Sequence, residues 1–280
     1  MQRQSTAPGR KPGGPTISIH WEDQMSAINR RGVLSFLALV SASCLFSASP
    51  GQADDGTLIF GTDPTYRPLA FYDENNVLVG FDVDLAEAIA KQLGVAFKIE
   101  AMAFDGLIPA LQTGRIHVEP EMAVREKRKA QVDFTTPFFS QTNTSVVRKD
   151  SDLDPKSAGD LKGKKVGVTS GTAADLMVSE YSGVEITRYN TTPDSFRDLV
   201  LGRIDVVVVD SLTAGYSVKH TFPDKLRVSK SALTDRIDIA AAVKKGNGDL
   251  LARLNTAIEG MKSDGTLDAI VKKWFGDITY

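Results

Sequence analysis

The sequence predicts an α/β protein of two lobes, each a mostly parallel sheet flanked by helices, and three observations predict it. Short apolar strands alternate with helical segments over 58–112 and again over 165–209. A helix-to-strand junction of eight residues recurs in the two stretches. Once the N-terminal 53 of the 280 residues are set aside, about 227 remain, enough for one large domain or for two lobes that each bury a core.

In the first stretch, Leu58-Ile59-Phe60-Gly61 is a short apolar strand that ends at Thr62-Asp63. A helix follows from Asp82, with Val83, Ala86, Ile89, Ala90 and Leu93 on one face, and Gly94 stops it. Val95 to Glu100 alternates as a strand, and Leu107 to Gln112 makes a short helix closed by Gly114. The second stretch begins after Arg148. Lys165 to Val168 reads as a strand, Ala173 to Tyr181 as a helix, Val184 to Arg188 as a strand, Ser195 to Leu201 as a helix and Asp205 to Val209 as an apolar strand. Strands alternating with helices at this spacing imply parallel α/β units. The recurring junction is Leu111-Gln112-Thr113-Gly114-Arg115-Ile116-His117-Val118 against Leu199-Val200-Leu201-Gly202-Arg203-Ile204-Asp205-Val206. It reads as one helix stop, with Gly in the left-handed conformation, used once in each lobe. The charged run Arg148 to Asp152 and Pro155 mark an exposed start of the second lobe, and Asp235 to Ala242 carries the chain back.

The N-terminus reads as a targeting segment. Met25 to Arg31 holds two arginines, Val33 to Phe46 is apolar, and Gly51-Gln52-Ala53 offers small side chains, the order of a cleaved secretory signal over 25–53. An apolar run of 14 residues is too short for a membrane-spanning helix, which needs roughly 20. Residues 1–24 are expected to be an extension upstream of the natural start. Cys44, the only cysteine, would leave with the signal; Val40 and Ser41 before it put the aliphatic residue of a lipoprotein signal out of place. The mature chain is then without a thiol or a disulfide. Beyond residue 53 it carries 28 Lys/Arg against 33 Asp/Glu. That mild acidity disfavours nucleic acid and anionic membrane as partners.

In open parallel α/β sheets, ligands sit beyond the carboxyl ends of the strands. Here those ends deliver Asp63, the Pro120-Glu121-Met122 segment, Thr169-Ser170-Gly171-Thr172 and Asp210-Ser211. Ser170 and Thr172 precede a helix, where amides can receive a carboxylate; a plain N-cap by Thr172 explains the same residues. Asp63 and Asp210 equally suit turns or caps.

A longer set of motifs is more specific. Gly61 to Phe71, Gly80 to Ala90, Phe104 to Leu111, Val132-Asp133-Phe134, Gly265 to Ile270 and Lys273-Trp274-Phe275-Gly276 together resemble the family 3 extracellular solute-binding proteins, soluble receptors that feed polar amino-acid ABC importers. The resemblance runs from about residue 57 to the end. It implies the type II periplasmic binding protein fold with a hinge of two crossovers, the first lobe formed by 57–145 plus 237–280 and the second by 146–236. It implies a periplasmic monomer, without a cofactor, that docks on an inner-membrane ABC permease. It further implies that Asp63 and Asp210 hold the ligand ammonium, that Tyr66 and Phe104 pack on its side chain, and that Arg128 pairs with its α-carboxylate, bidentately.

The departures from the family pattern bear on the ligand. Glu121 replaces a small residue, Ala123 a hydroxyl and Arg125 a threonine. Lost hydroxyl donors weaken α-carboxylate recognition, and Glu121 would join Asp63 and Asp210 as a third acid unless Arg125 neutralises it. A basic or modified amino acid, or a related amine, suits that balance. As for catalysis, the chain holds no nucleophile elbow, no phosphate loop and, after the signal, only His117 and His220, which lack metal-ligand spacing. A binding protein is expected rather than an enzyme. The alternatives are a dehydratase resembling the cyclohexadienyl or arogenate dehydratases, with Glu121 as its acid, and a periplasmic ligand sensor.

Overall fold

The computed structural model describes residues 56–276. The expected extension, the signal over 25–53, Cys44 and the last four residues of the expected first lobe lie outside the described residues. Strand β1 (Leu58–Thr62) opens the chain, followed by a small antiparallel sheet of β2 (Thr65–Tyr66), β3 (Ala70–Tyr72) and β4 (Leu78–Val79). Next come α1 (Phe81–Leu93), β5 (Phe97–Ala101), α2 (Leu107–Thr113), β6 (Val118–Ala123), α3 (Glu126–Lys129), β7 (Val132–Phe134) and β8 (Phe139–Gln141). After Thr142 the chain enters β9 (Asn143–Arg148), β10 (Lys165–Thr169), α4 (Ala173–Val178), β11 (Glu185–Tyr189), α5 (Thr192–Val200), β12 (Val206–Asp210), α6 (Ser211–Tyr216) and β13 (Leu226–Ala232). It ends with β14 (Ile237–Lys244), α7 (Gly248–Ser263) and α8 (Thr266–Phe275).

Two larger sheets result, in the orders β5-β1-β6-β14-β7, with β8 also on β14, and β11-β10-β12-β9-β13. Each begins with three parallel strands and continues antiparallel. Two short connections join the sheets, Thr142 between β8 and β9 and residues 233–236 between β13 and β14. The chain is thus the predicted two-sheet α/β fold.

The recurring junction has the same geometry in both halves. Gly114 and Gly202 both lie in the left-handed region, at φ 78° and 69°, and Ile116 and Ile204 behind them are buried. In each half that isoleucine packs over a glycine of the second strand of the sheet, β1 or β10: a Cβ at Gly61 would stand 2.4 Å from Ile116 Cδ1, and one at Gly167 2.5 Å from Ile204 Cδ1.

Some boundaries differ from expectation for local reasons. Helix α4 stops at Val178, three residues short of the expected Tyr181, because Tyr181 is exposed and offers no apolar face to bury. Helix α5 starts at Thr192 rather than Ser195, since the Thr191 hydroxyl caps it by accepting from the Asp194 N–H at 3.4 Å and Pro193 fits its first turn. The C-terminal helices pack on the first sheet and on α1. Phe275 stacks on Phe81 at 4.8 Å between centroids, Phe139 meets Phe81 edge-on at 5.6 Å, and Asp84 accepts from Lys273 Nζ (2.6 Å) and Trp274 Nε1 (2.7 Å). Each fully buried phenylalanine contributes roughly 1.5–3 kcal/mol of apolar burial, so this cluster fixes α1 and α8 against the strands that carry the site.

Candidate functional site

One cavity, lined from both sheets, collects seven of the eight residues proposed from sequence: Asp63, Tyr66, Phe104, Glu121, Arg128, Thr172 and Asp210. Ser170 is half-buried and does not line it. The amides expected to receive a carboxylate are bonded within the protein in this conformation. Ser170 N–H donates to the Tyr189 carbonyl (2.9 Å), Gly171 N–H to Asp175 Oδ2 (3.0 Å) and Thr172 N–H to the Thr169 carbonyl (3.3 Å). Thr172 caps α4, its hydroxyl accepting from Asp175 N–H at 3.3 Å and donating to the Thr169 carbonyl at 2.8 Å.

Asp63 follows directly on β1 and orders the turn after it. Its Oδ1 accepts from the Thr65 N–H (2.9 Å) and hydroxyl (2.7 Å), and its Oδ2 from the Phe104 N–H (3.2 Å). Burial nonetheless outweighs these bonds and raises its pKa. Asp210 ends β12 and caps α6, accepting from Thr213 N–H at 2.8 Å through Oδ1, while its Oδ2 has no hydrogen-bond partner. Burial raises its pKa as well, against the Thr213 amide and hydroxyl and the neighbouring Tyr66 phenol, which act to lower it. Tyr66 is tilted against Phe104 at 6.3 Å between centroids. Burial first, then the charges of Asp210, Glu121 and Asp63, hold the proton on its phenol.

Arg128 ties the walls together. Its Nη1 donates to the Ala123 carbonyl of β6 and its Nη2 to the Gly171 carbonyl after β10, both at 2.9 Å, and the guanidinium lies over the Phe104 ring at 5.2 Å. A planar, weakly hydrated cation suits this buried position. Burial lowers its pKa to about 10, the carboxylates of Glu119 and Glu121 holding it up, so it stays charged at neutral pH.

The cavity also holds residues that the sequence reading missed: Thr62, Asp82, Glu119, Gln141 and Asn143. Asp82, in the first turn of α1, accepts from the Thr62 hydroxyl through Oδ2 and leaves Oδ1 without a partner. Burial, assisted by the charge of Asp63, pushes its pKa up to about 7. Glu119 and Glu121 stand two apart on β6, and burial raises both well above the carboxylate range, with the charge of Asp82 the next cause in each case. Their spacing was a legible signal, because residues i and i+2 share one face of a strand. Glu121 accepts from Gln141 Nε2 at 3.4 Å. Arg125 does not neutralise it: its Nε and Nη2 are without partners, burial lowers its pKa, and Glu180 is the charge that acts on it.

Five carboxyl groups thus face one guanidinium. Asp82 Oδ1, Glu119 Oε2, Asp210 Oδ2 and Gln141 Oε1 are buried acceptors without a partner, against the single buried donor Asn143 Nδ2 among the lining residues. An unpaired buried polar atom costs roughly 1–3 kcal/mol, so the cavity offers more hydrogen-bond acceptors than its own donors satisfy. Despite the acids, no group of three or more His, Cys, Asp or Glu is arranged to hold a metal ion among the described residues. His117 accepts from Ile59 N–H at 3.2 Å and His220 stacks on Tyr216 at 4.5 Å, both outside the cavity. No described helix is long and apolar enough to cross a membrane.

Comparison with known proteins agrees with this architecture. Residues 58–277 match the model of the bacterial extracellular solute-binding proteins, family 3. The L-cystine-binding protein TcyJ of Escherichia coli is 39% identical over 227 residues, covering 80% of this chain and 85% of its own length. The L-arginine-binding protein of Pseudomonas aeruginosa is 34% identical over 255 residues, 87% of this chain and 98% of that one. Among solved structures, an ancestral arginine-binding protein bound to arginine aligns with a TM-score of 0.74 at 43% identity, covering 79% of this chain and 98% of its own. The ancestral amino acid-binding protein AncCDT-1, a precursor of cyclohexadienyl dehydratase, aligns with a TM-score of 0.72 at 36% identity, over 79% and 96%. The chain belongs to the bacterial extracellular solute-binding proteins, family 3.

Proposed function

We propose that this family 3 solute-binding protein is the periplasmic receptor of an ABC importer, which captures a basic or otherwise amine-bearing amino acid between two lobes and hands it to a membrane permease. The single observation that carries the ligand class is the excess of acids, five buried carboxyl groups and three of their oxygens unpartnered around one guanidinium. The relatives support an amino acid as guest, since their names give L-cystine and L-arginine. In this reading 57–145 with 237–280 and 146–236 are the lobes, Thr142 and residues 233–236 are the hinge strands, and closure brings Arg128 onto the Gly171 carbonyl. Asp63 and Asp210 receive the ammonium, Tyr66 and Phe104 flank the side chain, and Arg128 turns part of its fork to the carboxylate. Ser170 contributes through its backbone at most.

A thermal-shift screen against amino acids, amines and organic acids tests this. A ligand at 100 times its Kd adds about 2.7 kcal/mol to stability, so L-arginine, L-lysine or a similar cation should raise the Tm, and dominance by neutral or dicarboxylic ligands would overturn the acid-cavity reading. A second reading has one observation in its favour: Glu121, buried and holding its proton, is equipped as a general acid of the dehydratase kind. The receptor reading predicts that the protein does not turn over prephenate or arogenate.

A further inference from the structure

The second half of the molecule meets the first at the Gly171 peptide. Its carbonyl accepts from Arg128 Nη2 at 2.9 Å, and a Cβ at Gly171 would stand 3.2 Å from Asp105 Cβ and 3.3 Å from Asp105 Cα, in the turn Phe104–Gly106. Gly171 holds the left-handed conformation, φ 74°, so a side chain here would be strained in torsion and crowded against Asp105. What fixes this peptide is Asp175, the third residue of α4. Its Oδ2 accepts from the Gly171 N–H at 3.0 Å, and its Oδ1 from Arg188 Nε of β11 at 2.9 Å and from the Ser179 hydroxyl at 3.2 Å. The carboxylate is buried, yet it does not line the cavity.

An acid in the first turn of a helix is ordinarily a cap, and α5 supplies the comparison. Asp194 is likewise the third residue of its helix and likewise pairs with an arginine, Arg197. Its Oδ2 accepts from the hydroxyl of the capping residue Thr191 at 2.6 Å. Asp175 instead reaches back past the capping Thr172 to the amide before it, the one whose carbonyl faces the other half.

We infer that Asp175 is a positioning residue of the binding site, which fixes the Gly171 peptide so that its carbonyl meets Arg128 and holds the guanidinium in place when the lobes close on a ligand. The inference rests on the receptor reading and goes beyond it, since it gives a role in affinity to a side chain outside the cavity. The other terminal nitrogen of Arg128 is held by the Ala123 carbonyl at 2.9 Å, so loosening Gly171 leaves the fork fixed on one side only. The Arg128–Gly171 contact belongs to the closed arrangement of the lobes, so its loss speeds the release of ligand more than it slows capture.

Stopped-flow binding of L-arginine, L-cystine and any further amino acid that raises the Tm, with thermal unfolding of each variant, tests the proposal. Asp175→Ala should speed release roughly 10- to 30-fold and change the association rate less than about threefold. Asp194→Ala, the matched loss of a first-turn acid, should lower the Tm to a similar degree and leave both rates within about twofold of wild type. Asp175→Asn keeps an acceptor for the Gly171 amide and should bring the release rate back to within about threefold of wild type. If Asp175→Ala does not fold, hydrogen exchange of the Gly171 amide in the unaltered protein decides, and it should slow at least about tenfold when ligand binds. A release rate that Asp175→Ala leaves unchanged, or that Asp194→Ala raises as much, overturns the positioning role and leaves the receptor reading standing. An exchange rate at Gly171 that ligand does not slow has the same consequence. Wild-type protein that binds neither amino acid, nor any other in the thermal screen, removes both.

Discussion

The halves built on β1 and on β10 share one plan and differ where they meet the cavity. Both place a glycine of β1 or β10 under an isoleucine, and both stop the helix before that isoleucine with a left-handed glycine. Next to the cavity, however, the second half satisfies most of its polar groups within itself. The Thr169 and Thr192 hydroxyls bond each other at 2.9 Å, Thr172 donates to the Thr169 carbonyl, and Asp175 takes the Gly171 amide. The first half instead presents Asp82 and Glu119 with oxygens unpartnered. Similar scaffolds thus carry one wall largely closed on itself and one wall with more acceptors left free, with Asp210 Oδ2 and Asn143 Nδ2 the exceptions on the satisfied side.

The largest break in this comparison comes from Arg128, whose side chain reaches from one wall to the other. Arg128→Leu should lower ligand affinity at least about 100-fold and destabilise the fold by about 3–5 kcal/mol, because it strips two buried carbonyls of a charged donor and leaves the acids without their cation. Calorimetry and urea unfolding would show it, and a binding curve unchanged by this substitution would contradict the tie.

The unsatisfied wall should also show in the pH dependence of stability. Asp82 has a folded pKa of about 7, raised from 3.8. Below about pH 4 the carboxyl is protonated in both states and its contribution is fully present. As pH rises, the unfolded chain ionises first, so stability falls until the folded pKa is passed, by up to about 4 kcal/mol from this group. Urea midpoints should therefore decline from pH 5 to pH 8, and Asp82→Asn should flatten the decline.

The shared plan is sharpened by a matched pair of substitutions. Gly61→Val and Gly167→Val should each cost about 1–3 kcal/mol through overpacking against Ile116 and Ile204. Losses that differ several-fold would mean that the halves are less alike than their geometry. The smallest effect is expected at the satisfied wall, where Thr172→Ala should cost about 1 kcal/mol of helix capping and change ligand affinity little.

The shared plan was legible in the sequence because it depends on local signals. Strand and helix periodicity, the stops at Gly94, Gly114 and Gly202, and the Gly-Arg-Ile junction all act within a few residues. Antiparallel strands such as β9, β13 and β14 were harder, since their pairing is fixed by partners far along the chain. The cavity divides in the same way. Asp63 and Asp210 end strands and were visible, whereas Gln141 and Asn143 flank a crossover whose position only the tertiary fold sets. Asp82 read as an ordinary acid in the first turn of a helix, and its burial beside Glu119 was not a sequence property.

The central claim is that the unsatisfied wall is the one that reads cationic nitrogen. A crystal structure of the protein with the ligand that gives the largest thermal shift tests it most directly. The account predicts a ligand nitrogen within about 3.5 Å of Asp82, Glu119 or Glu121, with the Thr169–Thr192 and Thr172–Thr169 bonds of the other half intact. A ligand held by the second half's threonines and amides, with the first half's carboxyl groups left to one another, would contradict it.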